Sequence, residues 1–118
     1  MPDWARRLTL ALVAPLAVGV VMPAAAADKD LTDKGEAIVR ENCSPCHAVG
    51  IEGVSPNPEA PPLRTISGNY PVENLAESLA EGIVSGHPDM PIFVFDAHQV
   101  DAILAYLESI QETPPAGE

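Results

Sequence analysis

The sequence predicts a small all-α domain in which about three main helices are joined by long loops. Apolar residues recur at helical spacing in two segments, 72–83 and 96–110. The stretch from residue 47 to residue 62 contains too much proline for a regular helix, and a loop of that length is unusual in a small domain unless it wraps around something. No segment alternates apolar and polar residues as a strand does.

Residues 1–27 have the pattern of a secretory signal peptide. Arg6 and Arg7 precede an uncharged apolar run, 8–22, which is followed by small residues up to Ala27. We expect cleavage after Ala27, so that the mature chain is exported. The alternative is an uncleaved anchor helix, because the uncharged stretch is nearly long enough to span a bilayer.

The first helix is predicted over Thr32–Asn42. Thr32 is the expected N-cap, and Asp33 and Glu36 would lie in the first turn, where the helix dipole favours negative charge. Residues 37–39 supply its apolar side.

The second helix is predicted from Val72 to about Ile83, with Pro71 at its first position. Its leucines and isoleucine recur every four residues. The third helix is the clearest, because Asp96 and Gln99 form a capping-box-like pair at its start. Its apolar stripe consists of Val100, Ile103, Leu104, Leu107 and Ile110. The domain is expected over residues 28–112, with a flexible tail at residues 113–118.

The charge of the chain is strongly negative. Removing Asp3, Arg6 and Arg7 from the 6 basic and 17 acidic residues leaves 4 and 16, a net charge of −12. This balance excludes nucleic acid as an expected partner and argues against an anionic membrane surface. It favours a basic protein partner met by electrostatic steering, although acidity that merely keeps an exported protein soluble explains it equally well.

Residues 43–47 form a C-x-x-C-H motif, which is typical of covalent c-type haem attachment. Cys43 and Cys46 can each add to one vinyl group of a haem, and His47 can then ligate the iron. A thioredoxin-like pair would need a βαβ setting, and a zinc site would have to be completed by His47, His87 and His98. A disulfide between the two cysteines would close a tiny loop and stabilise little. With the export signal, haem is favoured.

Met90 is the candidate for the second axial position of the iron. It is the one methionine after the signal and lies in a proline-containing turn rather than on an apolar stripe, so it is a poor core residue. Met–His ligation raises the reduction potential relative to bis-His ligation. His87 is the rival ligand, and His98, in the first turn of the last helix, is expected to be solvated.

The chain resembles a small bacterial periplasmic class I cytochrome c with one haem, over about Leu31 to Ile110. The motifs that carry the resemblance are, in order, Gly35 in a helix, C-S-P-C-H at 43–47, Pro61-Pro62-Leu63, Met90-Pro91 and Ala105-Tyr106-Leu107. The resemblance implies the cytochrome c fold, with the helices and long loops wrapped around one covalent haem. It also implies a close crossing of the first and last helices at Gly35, where Tyr106 packs. The family usually has an aromatic residue at the position of Val39, so a smaller contact is expected here.

The same resemblance implies further cofactor-binding residues. The Pro61 carbonyl would accept the Nδ1 proton of His47, and Leu63 would contact the haem. Arg64 and Tyr70 would donate to a haem propionate. The tryptophan that the family often uses for the propionates is absent after Trp4.

With both axial positions filled by protein, the haem would carry single electrons and the chain would not be an enzyme. By the resemblance, it would serve a periplasmic respiratory or dehydrogenase-linked chain, with a dehydrogenase, a cytochrome bc1-type complex or a terminal oxidase as partners. A membrane contact is expected only if the N-terminal segment is uncleaved. Two alternatives stay open: a haem enzyme or gas-binding sensor with a labile sixth ligand, and a cytochrome subunit of a larger oxidoreductase complex.

Overall fold

The computed structural model describes residues 13–21, 23–82 and 89–112. The α-helices in these ranges are α1 (Ala24–Cys43), α2 (Leu75–Glu81) and α3 (Ala97–Ile110). Two short 3-10 helices, Leu63–Gly68 and Val72–Asn74, lie between α1 and α2. No strand occurs in these ranges, which confirms the all-α class. None of the helices described is both long and apolar enough to cross a membrane.

Some predictions concern residues outside these ranges. Arg6, Arg7 and the tail at 113–118 lie outside the described residues. Cleavage after Ala27 and the limits of the domain at 28–112 stay predictions.

Helix α1 is longer than predicted. It begins at Ala24, and the prediction that Thr32 is its N-cap is wrong, because the Thr32 hydroxyl donates to the carbonyl of Asp28 at 2.9 Å inside the helix. The physical reason is composition: residues 24–31 include four alanines and neither proline nor glycine, so nothing in them ends a helix. Two ion pairs at i, i+4 spacing add support along this part of α1.

Helices α1 and α3 cross closely at Gly35. A Cβ atom at this position would overlap the carbonyl oxygen of Ala102 and would stand 2.9 Å from the Cβ of Tyr106. The close crossing expected at Gly35 is therefore confirmed. The hydroxyl of Tyr106, buried at the crossing, donates to the carbonyl of Val49 at 2.6 Å and ties α3 to the loop after α1.

Helix α3 begins as predicted. The Asp96 side chain accepts from the Gln99 amide at 2.9 Å, and the Gln99 side chain accepts from the Asp96 amide at 3.0 Å, which confirms the capping box. The predicted stripe is buried except for Leu104, which is partly buried.

The second predicted helix is divided. Val72–Asn74 form a 3-10 turn, with Pro71 just before it rather than within it, and the α-helical part ends at Glu81. Gly82 follows with φ of 74°, a left-handed conformation that glycine adopts without strain. Ile83 lies outside the described residues. The 3-10 helix over Leu63–Gly68 was not expected from the sequence, because it lacks the length for a periodic pattern.

The hydrophobic core lies where α1, α3 and the first 3-10 helix meet. Val39 is its most buried member at 1% exposure, so the residue that replaces the family's aromatic is fully packed. The core consists of Val39, Val49, Leu63, Ile66, Val72, Ile103, Tyr106, Leu107 and Ile110. Several of these side chains also face the cleft described next, so the core forms one wall of the site.

Candidate functional site

A cleft of about 620 Å³ opens between the end of α1, the loop before the first 3-10 helix, α2 and α3. Its walls are mostly apolar. The residues predicted for the site that line it are Cys43, Cys46, His47, Pro61, Leu63, Tyr70 and Met90. The structure thus brings together seven predicted residues that are spread over more than forty positions of the chain.

The C-x-x-C-H motif lies where α1 ends. Cys43 is the last residue of α1, and the amides of Cys46 and His47 donate back to its carbonyl at 3.2 Å and 2.9 Å. These two hydrogen bonds form one further turn at the end of the helix, so both thiols and the imidazole face the same cleft. Asn57 donates its amide to the carbonyl of Cys46 at 3.1 Å and holds the following loop against the motif.

The ring of His47 is oriented by Pro61. Its Nδ1 lies 2.7 Å from the carbonyl oxygen of Pro61. A carbonyl can only accept a hydrogen bond, so Nδ1 carries the proton, and in the neutral ring Nε2 then keeps its lone pair. The imidazole therefore has the tautomer that a metal ligand needs, and its partner is the carbonyl that the sequence resemblance implied.

Burial raises the pKa of the Cys43 thiol to about 11. Catalytic and redox-active cysteines have the opposite property, a lowered pKa that maintains the thiolate. No disulfide joins Cys43 and Cys46. Among the residues that the structure describes, no group of three or more His, Cys, Asp and Glu side chains could hold a metal ion. The raised pKa argues against a role of Cys43 as a catalytic or redox-active thiolate.

Met90 lies in the segment between α2 and α3, part of which lines the cleft. Its side chain lines the cleft and is 39% exposed. The segment is held by the Phe95 amide, which donates to the carbonyl of Leu79 at 2.9 Å, and by stacking of Phe93 on Phe95 with ring centroids 5.6 Å apart. His98 is exposed in the first turn of α3, away from the cleft, as expected. His87 lies outside the described residues.

Arg64, expected as a propionate donor, pairs with a carboxylate beyond the end of α3. It is not among the residues that line the cleft, and its Nε donates to a carboxylate oxygen of Glu112 at 2.9 Å. The physical reason is the 3-10 helix, which directs the neighbouring side chains of Leu63 and Arg64 to different sides. Nη1 of Arg64 is buried without a hydrogen-bond partner among the described residues. A propionate contact of Arg64 stays a prediction.

Sequence reasoning missed a polar row along one wall of the cleft. Tyr70, Asn74 and Ser78 all line the cleft at a spacing of four residues. Tyr70 was expected, whereas Asn74 and Ser78 were not. The signal available in the sequence was the spacing of four residues from Tyr70 to Asn74 and from Asn74 to Ser78. Two carboxylates, Glu59 and Asp89, also line the cleft.

The residues present fit a haem. The volume of about 620 Å³ is within the range of about 300–1,000 Å³ usual for cofactor pockets. The cleft offers two thiols for the vinyl groups, an imidazole with a free Nε2 and a thioether, which are donors that haem iron accepts. Apolar walls would cover the ring, and the polar row provides hydrogen-bond donors at one edge.

Comparison with known proteins identifies one match. A family model described as Cytochrome c matches residues 32–111, more than half of the chain. No curated protein and no solved structure matches the chain.

Proposed function

Since this chain belongs to the cytochrome c family, whose members bind covalent haem c and transfer electrons, we propose that it is a periplasmic single-electron carrier with His47 and Met90 as axial ligands. The observation that carries this proposal is the convergence of Cys43, Cys46, His47 and Met90 on one mostly apolar cleft. The haem, once bound, supplies the ferric–ferrous couple. The chain itself is proposed to have no enzymatic activity.

Residues around the cleft would adjust the reduction potential of the ferric–ferrous couple. The Pro61 carbonyl holds the Nδ1 proton of His47, which increases the basicity of the ring and favours ferric iron. Apolar side chains that line the cleft would exclude water from the haem; they include Leu63, Ile66, Ile103 and Leu107. Exclusion of water favours the oxidation state of the haem that has the smaller net charge. Because His47 and Met90 would both bind the iron, the chain would leave no ligand position for a substrate.

The polar row is the proposed binding site of the haem propionates. The side chains of Tyr70, Asn74 and Ser78 can each donate a hydrogen bond, and a carboxylate binds most strongly where several donors meet. Arg64 would join them only if its side chain left Glu112. This assignment replaces the missing tryptophan with one residue before the second 3-10 helix, one within it and one in α2.

The proposed partner is a redox protein with a basic surface. Every lysine and arginine in the described ranges has a carboxylate partner; the pairs are Lys29–Asp33, Lys34–Asp30, Arg40–Glu36 and Arg64–Glu112. No patch of unmatched positive charge in these ranges therefore offsets the excess of carboxylates. Such a surface would steer a basic patch of a dehydrogenase, a bc1-type complex or a terminal oxidase toward it.

The proposal for the cofactor is tested by a pyridine haemochrome spectrum on protein released from the periplasm by osmotic shock. We expect a c-type spectrum, a haem that acid–acetone does not extract, and a mass that begins at Asp28. Cys43→Ala should show the spectrum of a haem held by one thioether, whereas the control Ser44→Ala, within the same motif, should match the wild type. A wild-type mass that lacks haem would refute covalent attachment.

The proposal for the partner is tested by measuring how the rate of electron transfer depends on ionic strength. Electron transfer with a lysine-rich redox protein should slow as ionic strength rises from about 0.01 M to about 0.15 M, since the Debye length then falls from about 30 Å to about 8 Å. An acidic redox protein is the control and should show the opposite trend. A rate with the basic protein that does not depend on salt would contradict steering.

A further inference from the structure

Gln111, the residue after α3, connects α3 to the first 3-10 helix through its side-chain amide. Nε2 donates to the carbonyl of Leu63 at 2.9 Å and to the carbonyl of Leu107 at 2.7 Å. Oε1 accepts from the amide of Ser67 at 2.8 Å. A primary amide has two N–H donors, and both are used here on backbone carbonyls. The side chain is therefore held in one orientation.

The backbone of Leu63 is fixed on both sides by these bonds. Its carbonyl accepts from Gln111, and its amide donates to the carbonyl of Ala48 at 2.9 Å. Ala48 follows His47 in the chain, and Pro61 lies two residues before Leu63. Two hydrogen bonds therefore join these two segments: His47 contacts Pro61, and the next residue, Ala48, contacts Leu63.

Pro61 and Pro62 cannot be held by their own amides, because proline has no N–H. The position of the Pro61 carbonyl depends on the residues on either side of the pair. On one side, the Ala60 amide donates to Asn57 at 3.0 Å. On the other side, the nearest amide is that of Leu63, which donates to the carbonyl of Ala48. The carbonyl of Leu63 accepts from Gln111. The Pro62 carbonyl also accepts from the Thr65 amide at 3.0 Å and from the Thr65 hydroxyl at 2.8 Å. Loss of the Gln111 side chain would leave these bonds and the Leu63–Ala48 bond in place, and would remove the hydrogen bond that holds the Leu63 carbonyl.

We propose that Gln111 is a positioning residue that holds the Pro61 carbonyl on Nδ1 of His47 and thereby sets the reduction potential. This inference rests on the proposed function, because it takes His47 as an axial ligand. The contact with Leu107 closes the end of α3, so a role confined to ending the helix is the competing explanation.

The test uses the haem-loaded protein and three variants. Gln111→Leu removes all three side-chain bonds. Gln111→Glu keeps the shape and the acceptor for Ser67 but cannot donate to Leu63. Ile110→Val is the matched control, since it removes one buried methyl group beside Gln111, does not touch the cleft and weakens the fold by packing alone. The two readouts are the reduction potential and the solvent exchange of the His47 Nδ1 proton, followed by NMR in the ferrous protein.

We expect Gln111→Leu to shift the potential upward, because a less basic imidazole stabilises ferric iron less. Gln111→Glu adds a negative charge, which by itself stabilises ferric iron, so the readout for this variant is the exchange of the Nδ1 proton. We expect the Nδ1 proton to exchange about tenfold faster in both Gln111 variants, as the loss of one net hydrogen bond to the Leu63 carbonyl implies. Ile110→Val should leave both readouts at their wild-type values. The inference is overturned if both Gln111 variants match the wild type, or if Ile110→Val produces the same changes. Either result leaves the proposed function intact, which fails separately if the wild-type protein binds no haem.

Discussion

Replacing Gly35 by alanine tests whether the crossing of α1 and α3 holds the domain together. The added Cβ would lie 2.6 Å from the carbonyl carbon of Ala102 and 2.9 Å from the Cβ of Tyr106, whereas ordinary carbon contacts need about 3.5–4.0 Å. The helices must therefore separate by about 1 Å. Overpacking of this kind costs up to about 3 kcal/mol, and the higher helix propensity of alanine returns about 1 kcal/mol. The net loss is about 2 kcal/mol.

Thermal unfolding of the haem-loaded protein measures this loss. For a domain of this size, about 2 kcal/mol corresponds to a fall in Tm of about 10 °C. Gly68→Ala is the matched control, because a Cβ at Gly68 meets nothing within 4 Å and its φ is not in the left-handed range. We expect the control to be neutral or more stable by about 0.5 kcal/mol. If Gly35→Ala unfolds at the same temperature as the control, the close crossing does not limit stability and the reasoning is wrong.

Three further predictions concern the ligand, the buried tyrosine and the open alternatives. Met90→Ala should abolish the sulfur-to-iron charge-transfer band and lower the reduction potential, whereas His98→Ala, exposed and away from the cleft, should do neither; a band that survives in Met90→Ala excludes this ligand. Burial raises the pKa of Tyr106 from 10.0, so the folded state holds this proton more tightly than the unfolded state, and stability should fall as pH rises above 10.0. Tyr106→Phe should remove that part of the pH dependence in chemical unfolding curves and, by leaving the Val49 carbonyl unpaired, cost about 1–2 kcal/mol at neutral pH; an unchanged pH slope would contradict the assignment. Finally, ferrous protein should not bind carbon monoxide at neutral pH, and rapid binding would favour the enzyme or gas-sensor alternative.

The parts of the fold that depend on neighbouring residues were predictable from the sequence. The capping box of Asp96 and Gln99 and the buried stripe of α3 occur where the spacing placed them. The start of α1 was not predictable from Thr32. A possible N-cap residue begins a helix only when the residues before it resist helix formation, and the alanines before Thr32 do not.

The site followed a similar division. The motif at Cys43, Cys46 and His47 specifies covalent attachment by its own short spacing, and Met90 was identified because other methionines precede the predicted cleavage point. Arg64 shows where such reasoning ends. Its residue type suits a propionate, but its partner Glu112 is 48 positions away in the chain, and no local pattern indicates that pairing.

The sequence by itself determined the chemistry of attachment, the all-α class and the acidic surface, because each depends on residue types at short spacing or on composition alone. The tertiary structure decided which groups support that chemistry: the carbonyl of Pro61 on His47, the passage of α3 over Gly35, and the amide of Gln111 on Leu63. The physical reason is that these contacts join backbone groups far apart in the chain. Every residue except proline carries the same backbone donor and acceptor, so only packing selects which of them meet.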